Sequence, residues 1–157
     1  MIFFMSLFVL EFCSVAHAES EWFYSDLSRP KAPQITLTPT HIGGHFKVAA
    51  TTCPSDDLYI CILGDGFQFA VPKDVENSKT WVKNGVQYKV MSEADIQILG
   101  RPIRAYWIGQ NAQKNSLRFL YSKVRGLISF TSAKQNGPLF LVESKCGFGA
   151  SEECAAR

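Results

Sequence analysis

The sequence predicts a mainly β protein: a single antiparallel meander, closed as a barrel or folded as a sandwich, with one short helix and two disulfides. Three observations predict it. From Gln34 onward, apolar and polar residues alternate with a period of two, which is the pattern of strands with one buried face. Turn signals recur at short intervals, among them Gly64-Asp65-Gly66, Asn84-Gly85 and Asn136-Gly137-Pro138, and tight turns join antiparallel neighbours rather than parallel ones. Cys53 and Cys61, then Cys146 and Cys154, fall in two equal spacings, and an even set of cysteines in an exported chain reads as disulfides.

Export is expected from residues 1–18. Met1 to Phe12 is apolar except for Ser6 and Glu11, and Ala16-His17-Ala18 places small residues where a signal peptidase needs them. Cleavage after Ala18 would remove Cys13 and leave a chain beginning at Glu19. A retained membrane anchor is the weaker alternative, because the apolar run is about 12 residues and a spanning helix needs roughly 20. Lipid attachment at Cys13 is disfavoured by the bulky Glu11 and Phe12 before it. The expected location is therefore periplasmic or secreted, with no membrane span after cleavage.

Residues 19–33 read as an extended N-terminal arm, with Pro30 and Pro33 and three rings at Trp22, Phe23 and Tyr24. Residues 34–157 read as one β-rich domain with a disulfide-pinned C-terminal tail. Ile35 and Leu37 alternate with threonines, and Phe46 and Val48 flank Lys47. Leu58 to Leu63 is a continuous apolar run, as in a strand buried on both faces. Gly64-Asp65-Gly66 turns it into Phe67 to Val71. Pro72 to Asn84 reads as a polar connection, and Asn84-Gly85 turns into Val86 to Val90, where Val86, Tyr88 and Val90 should face inward. Ser92-Glu93-Ala94-Asp95 has the form of a helix start, with Ser92 as N-cap and acids in the first turn. Gly100 and Pro102 would stop it, which places the short helix at Ser92 to Leu99. Ile103 to Ile108, Leu117 to Tyr121, Leu127 to Thr131 and Leu139 to Val142 read as further strands.

Local pairing, Cys53 with Cys61 and Cys146 with Cys154, closes the shortest loops. Crossed pairing, Cys61 with Cys146 and Cys53 with Cys154, would instead tie the tail to a hairpin. Both remain open at this level.

Chemistry is sparse. A net charge of +2 without a basic stripe gives no argument for nucleic acid. His41 and His45 bracket a Gly-Gly loop that does not fix ligand geometry, so they read as turn residues and no metal is expected. There is no Gly-x-Ser-x-Gly elbow, and disulfide cysteines cannot serve as nucleophiles. Asp65, Asp95 and Glu143 are the carboxylates available for a hydrolytic pair. No cofactor is implied. Trp107, Phe119, Phe130 and Phe140 are core candidates. Trp81, flanked by Lys79 and Lys83, reads either as an exposed binding anchor or as a ring folded over the core. Cations cluster at Arg101 and Arg104 and again at Lys123 and Arg125, suited to an acidic partner. Phe148 sits between Gly147 and Gly149, either displayed on a disulfide loop or plugging the barrel. By elimination, the expected function is an exported small binding protein with a protein partner, in concrete form an inhibitor or immunity protein against a secreted or cell-wall-degrading enzyme. The alternative is a small exported hydrolase using carboxylate or His chemistry.

Overall fold

The computed structural model describes residues 20–28, 34–44, 46–98, 100–111, 116–132, 137–142 and 146–155. The leader, Cys13, His45 and Glu143 lie outside the described residues. Twelve strands are present among those described: β1 (Trp22–Ser25), β2 (Ile35–Leu37), β3 (His41–Gly43), β4 (Val48–Thr52), β5 (Tyr59–Gly64), β6 (Phe67–Pro72), β7 (Thr80–Lys83), β8 (Val86–Ile98), β9 (Arg101–Asn111), β10 (Leu117–Ser122), β11 (Gly126–Ser132) and β12 (Leu139–Leu141). A four-residue helix α1 (Glu152–Ala155) ends the described chain, and a 3-10 turn occupies Val75–Asn77.

The sheet runs β6-β5-β4-β3-β2-β1-β12-β11-β10-β9-β8-β7. It is two antiparallel meanders, β1 to β6 and β7 to β12, joined where β1 pairs with β12 at Tyr24–Leu141 and Ser25–Phe140. The two edge strands, β6 and β7, are consecutive in the chain, so the sheet curls into a nearly closed barrel. Hairpin turns obey local chemistry. Asn84 and Gly85 have φ of 51° and 72°, the pair of positive values that a two-residue turn matched to strand twist requires.

Side chains close the seam between β6 and β7. The Trp81 indole N–H donates to the Ala70 carbonyl at 3.0 Å, and the Tyr88 hydroxyl donates to the Gln68 carbonyl at 3.2 Å. Trp81 stacks on Tyr88, with ring centroids 5.7 Å apart and planes 7° apart. Inside, rings from opposite walls touch. Phe67 on β6 meets Phe119 on β10 at 5.9 Å and Phe130 on β11 at 5.0 Å, and Phe69 meets Phe119 at 5.1 Å. Aromatic contacts across the lumen make it a packed core. On β8, Tyr88 is fully buried while Gln87 and Lys89 are exposed, as the alternation predicts.

Five expectations are corrected. Ser92 to Ile98 is strand, not helix, and the short helix lies at α1. The N-cap pattern is a weak local signal. Ala94, Ile96 and Ile98 fall on every second residue and pair with Ala105, Ile103 and Arg101, so a long ladder overrides it. The polar connection 72–84 contains strand β7. Phe46 precedes β4 and is 85% exposed. Leu58 is likewise exposed and lies outside β5. Trp107 sits outside the main core, half-buried against a second apolar cluster of Ala105, Leu120 and Ile128 on the other face of β9 to β11.

β8 and β9 are longer than their neighbours. β7 pairs with β8 only as far as Lys89, and β10 pairs with β9 only from Tyr106. Ser92–Ile98 and Arg101–Ala105 therefore project as a two-stranded arm, after a bulge between Val90 and Ser92.

The seam makes a testable claim. Trp81→Phe removes the donor to Ala70 and should cost about 1–3 kcal/mol in urea unfolding, because a buried carbonyl loses its partner. Val82→Thr, on the neighbouring exposed position, should stay within about 0.5 kcal/mol. Equal effects of the two would show that the seam bond does not matter.

Candidate binding face at one end of the barrel

The barrel end reached by the C-termini of β6 and β10 gathers Lys79, Lys123 and Arg125 from among the polar side chains singled out from the sequence. It is built by the loop 53–58, the segment 73–79, the base of the arm, the β10–β11 turn and the C-terminal segment. The first loop is held by Cys53–Cys61, with Cα atoms 5.1 Å apart and the Cys53 N–H donating to the Cys61 carbonyl at 3.1 Å. The last is held by Cys146–Cys154, with Cα atoms 6.0 Å apart. Local pairing is thus the pairing that forms, and both separations suit a bridge. It works because β4 and β5 place Thr52 opposite Ile62, so Cys53 falls opposite Cys61.

The C-terminal segment docks on the β10–β11 turn through main-chain bonds. Gly147 N–H donates to the Arg125 carbonyl at 2.7 Å, Leu127 N–H to Phe148 at 2.8 Å, and Ser151 N–H to Lys123 at 3.0 Å. Gly126 lies under this crossing with φ of 73°, and a Cβ there would collide with the carbonyl oxygens of Gly147 and Phe148. Phe148 enters the core, edge-on to Trp22 at 5.2 Å and to Phe69 at 6.1 Å. The Tyr121 hydroxyl donates to the Gly149 carbonyl at 3.3 Å. Phe148 is a plug rather than a displayed ring.

A row of facing residues crosses the end: Glu93 on β8, Tyr106 on β9, Tyr121 on β10 and Leu127 on β11. Tyr106 is 2% exposed, and its oxygen is buried with no close hydrogen-bond partner. Burial pushes its hydroxyl pKa up, and the carboxylates of Glu76 and Glu93 push the same way, while Arg104 opposes them. Tyr121 is also raised by burial, with Tyr106 adding to it. Around this row the charges are paired. Lys123 meets Glu76 at 3.3 Å, Lys79 meets Glu93 at 3.4 Å, and Arg104 approaches Asp95 at 4.0 Å. These pairs are exposed and contribute little to stability, but they set a patterned surface of alternating sign.

The candidate residues divide accordingly. Lys123, Arg125 and Phe148 come together, with the Arg125 guanidinium 3.7 Å from Cys154 Sγ. Lys79 joins this end through Glu93. Lys83 reaches across the seam to Asp57 at 2.7 Å and lies 4.8 Å above the Tyr59 ring. Trp81 is 7% exposed and belongs to the seam, so it is not a surface anchor. Sequence reasoning missed Glu76, Glu93, Tyr106 and Asp57. Only register could have found Glu93 and Tyr106, since they are 13 residues apart and meet because β8 and β9 pair antiparallel. Of the proposed carboxylates, Asp65 lies in the β5–β6 turn at the far end and Asp95 lies on the arm, so these two do not assemble. His41 is exposed on β3, its Nδ1 2.8 Å from the Thr40 hydroxyl. Among the described residues no group of three or more His, Cys, Asp or Glu side chains could hold a metal ion. None of the helices described is long and apolar enough to cross a membrane. Compared with known proteins, the chain matches no family model, no curated protein and no solved structure.

Two predictions follow from this geometry. The hydrogen bond from Lys83 holds the Asp57 carboxyl below its ordinary value of 3.8. Its folded value being depressed, its contribution is present above about 3.8 and is lost as pH falls through the folded value. Asp57→Asn should lower the melting temperature at pH 7, and its gap to the parent should close on acidification below that value. A gap that persists at lower pH contradicts the assignment. Gly126→Ala should cost roughly 1–3 kcal/mol for the positive φ alone, with more from the collision, and should loosen the C-terminal segment to proteolysis between Lys123 and Cys154.

Proposed function

We propose that this chain is an exported, non-enzymatic binding protein, in concrete form an inhibitor or immunity protein that blocks a secreted or cell-wall-degrading enzyme. The observation that carries the reading is the contrast between the barrel's interior and its end. Rings from opposite walls fill the lumen in contact, so recognition falls to the outside. One end then combines two disulfide-held loops with cations and anions placed in alternation. Loops held rigid lose little entropy on binding, and patterned charge selects a partner by complementarity. Two disulfides accord with an oxidising compartment. Of the carboxylates considered for a hydrolase, Asp65 and Asp95 sit apart, and Glu143 lies outside the described residues. Glu76 and Glu93 near Tyr106 are the carboxylates that would have to replace them.

The test starts with capture of a stoichiometric partner from the native secretome, followed by calorimetry. Lys123→Ala and Arg104→Ala each remove an exposed cation of this end. At least one should cost about 2 kcal/mol in binding, roughly a thirtyfold weaker Kd, with the thermal melt unchanged. Unchanged affinity in both folded variants removes this end as the interface. Substrate turnover by the purified chain that disappears in Glu76→Gln would replace the binding reading with the hydrolase.

A further inference from the structure

The projecting arm has two edges, and they are not equivalent. Antiparallel ladders alternate between residue pairs that exchange two hydrogen bonds and pairs that exchange none. Gln97 faces Pro102, and proline has no N–H, so this pair is one that exchanges none. By alternation, Asp95–Arg104 and Glu93–Tyr106 are non-bonded pairs too, while Ala94–Ala105, Ile96–Ile103 and Ile98–Arg101 carry the arm's own hydrogen bonds. The main-chain groups of Glu93, Asp95 and Gln97 therefore point away from β9. On the β9 edge the corresponding groups belong to Pro102 and Arg104, and Pro102 removes a donor there. A proline on an edge strand is a known guard against strand addition. The β9 edge is guarded in this way and the β8 edge is not. Among the described residues, the last main-chain contact on the β8 side is Val90 N–H to the Lys79 carbonyl at 3.0 Å.

The side chains on the open edge alternate as well. Glu93, Asp95 and Gln97 are exposed, and Ala94, Ile96 and Ile98 are half-buried on the opposite face. The Asp95 side chain is 74% exposed and 4.0 Å from Arg104, and Glu93 lies 3.4 Å from Lys79; such exposed pairs are worth little, so an incoming cation can replace either one. A second copy of this chain, paired antiparallel about Asp95, would set Asp95 against Asp95, and like charges directly opposite are destabilising. The acidic pattern thus disfavours self-pairing and favours cations on the incoming strand.

We propose that the edge of β8 from Ser92 to Ile98 is a docking edge for an extended segment of a partner protein in which cationic and apolar residues alternate. Cations would face Glu93 and Asp95, and apolar side chains would continue the face of Ala94, Ile96 and Ile98. Main-chain hydrogen bonds supply affinity in such strand addition, and the alternating side chains supply specificity. The inference rests on the reading of the chain as a binding protein and names the chemistry of its partner.

The experiment uses the full oxidised chain and blocked synthetic heptapeptides. One alternates lysine and valine, a second alternates glutamate and valine, and a third is the cationic peptide N-methylated on alternate residues. Calorimetry and amide chemical shifts report binding. The cationic peptide should bind at least about tenfold tighter than the acidic one, with shifts concentrated at 92–98, and N-methylation should abolish binding. Gln97→Pro removes a main-chain donor from the open edge without touching the bonds to β9, and should weaken binding about tenfold with an unchanged melt. Glu93→Lys with Asp95→Lys should reverse the preference between the two peptides. Equal affinities, shifts elsewhere, or indifference to N-methylation overturn the proposal, as does dimerisation of the chain along this edge. If Gln97→Pro does not fold, the N-methylated peptide decides alone. A native partner indifferent to the charge reversal refutes the docking edge and leaves the binding reading standing. Failure of any partner to bind, with turnover in its place, refutes the binding reading itself.

Discussion

The fold depends on how a twelve-stranded sheet disposes of its two edges. An open edge presents unpaired N–H and C=O groups to any passing strand. Here the edges belong to consecutive strands, β6 and β7, and the chain between them crosses the seam through the 3-10 turn, burying Val75. Side chains finish what the backbone ladder leaves open. Trp81 and Tyr88, stacked on each other, deliver an indole N–H and a hydroxyl to successive outward carbonyls of β6. Because these donors are ring-borne, the same two residues seal the core and satisfy the edge. That double role is why Trp81 is buried although its neighbours Thr80 and Val82 are exposed.

Closure at the seam makes the aromatic interior possible. A barrel of this many strands would enclose a lumen if it were round. Contacts between β6 and the β10–β11 wall show that the walls meet, as in a sandwich. Buried tyrosines then act as internal ties. Tyr24 donates to the Leu127 carbonyl at 2.9 Å, Tyr121 to Gly149 and Tyr88 to Gln68. Burial raises the pKa of all three hydroxyls. Tyr106 differs. Its oxygen is buried without such a carbonyl; burial and the charges of Glu76 and Glu93 push its pKa up, while Arg104 pulls it down.

Much of the fold was legible in the sequence, for identifiable reasons. Period-two alternation locates β2, β6, β8, β10 and β11, and Asn84-Gly85 marks its hairpin because few other residue pairs accept two positive φ values. β1, β3 and β7 are short and, unlike β2 with its flanking threonines, are not picked out by an apolar–polar alternation. Trp22–Ser25 in particular is a strand paired on both sides with β2 and β12. The arm was misread at Ser92 because an N-cap motif is local, whereas the ladder that overrides it is formed with residues beyond Gly100. The candidate face was legible only in fragments. Lys123, Arg125 and Phe148 are close in space because the tail returns to the β10–β11 turn, but Glu76 and Glu93 reach that end through register and closure, which no short window contains.

The arm and the stapled end place two different kinds of surface side by side. Loops pinned by disulfides and glycine crossings are rigid: Gly126 and Gly147 allow backbone to lie directly on backbone, which leaves the tail little freedom to rearrange. A two-stranded ribbon, by contrast, is marginal on its own, and the arm keeps its shape because Ile96 and Ile98 pack against the Ala105, Leu120 and Ile128 cluster. That packing anchors one face of the arm and leaves its polar face and one edge exposed. Pro102 guards β9 and acids mark β8. The unguarded edge is thus confined to seven residues whose two charges, Glu93 and Asp95, are both acidic, short enough to avoid indiscriminate strand addition and patterned enough to choose among strands.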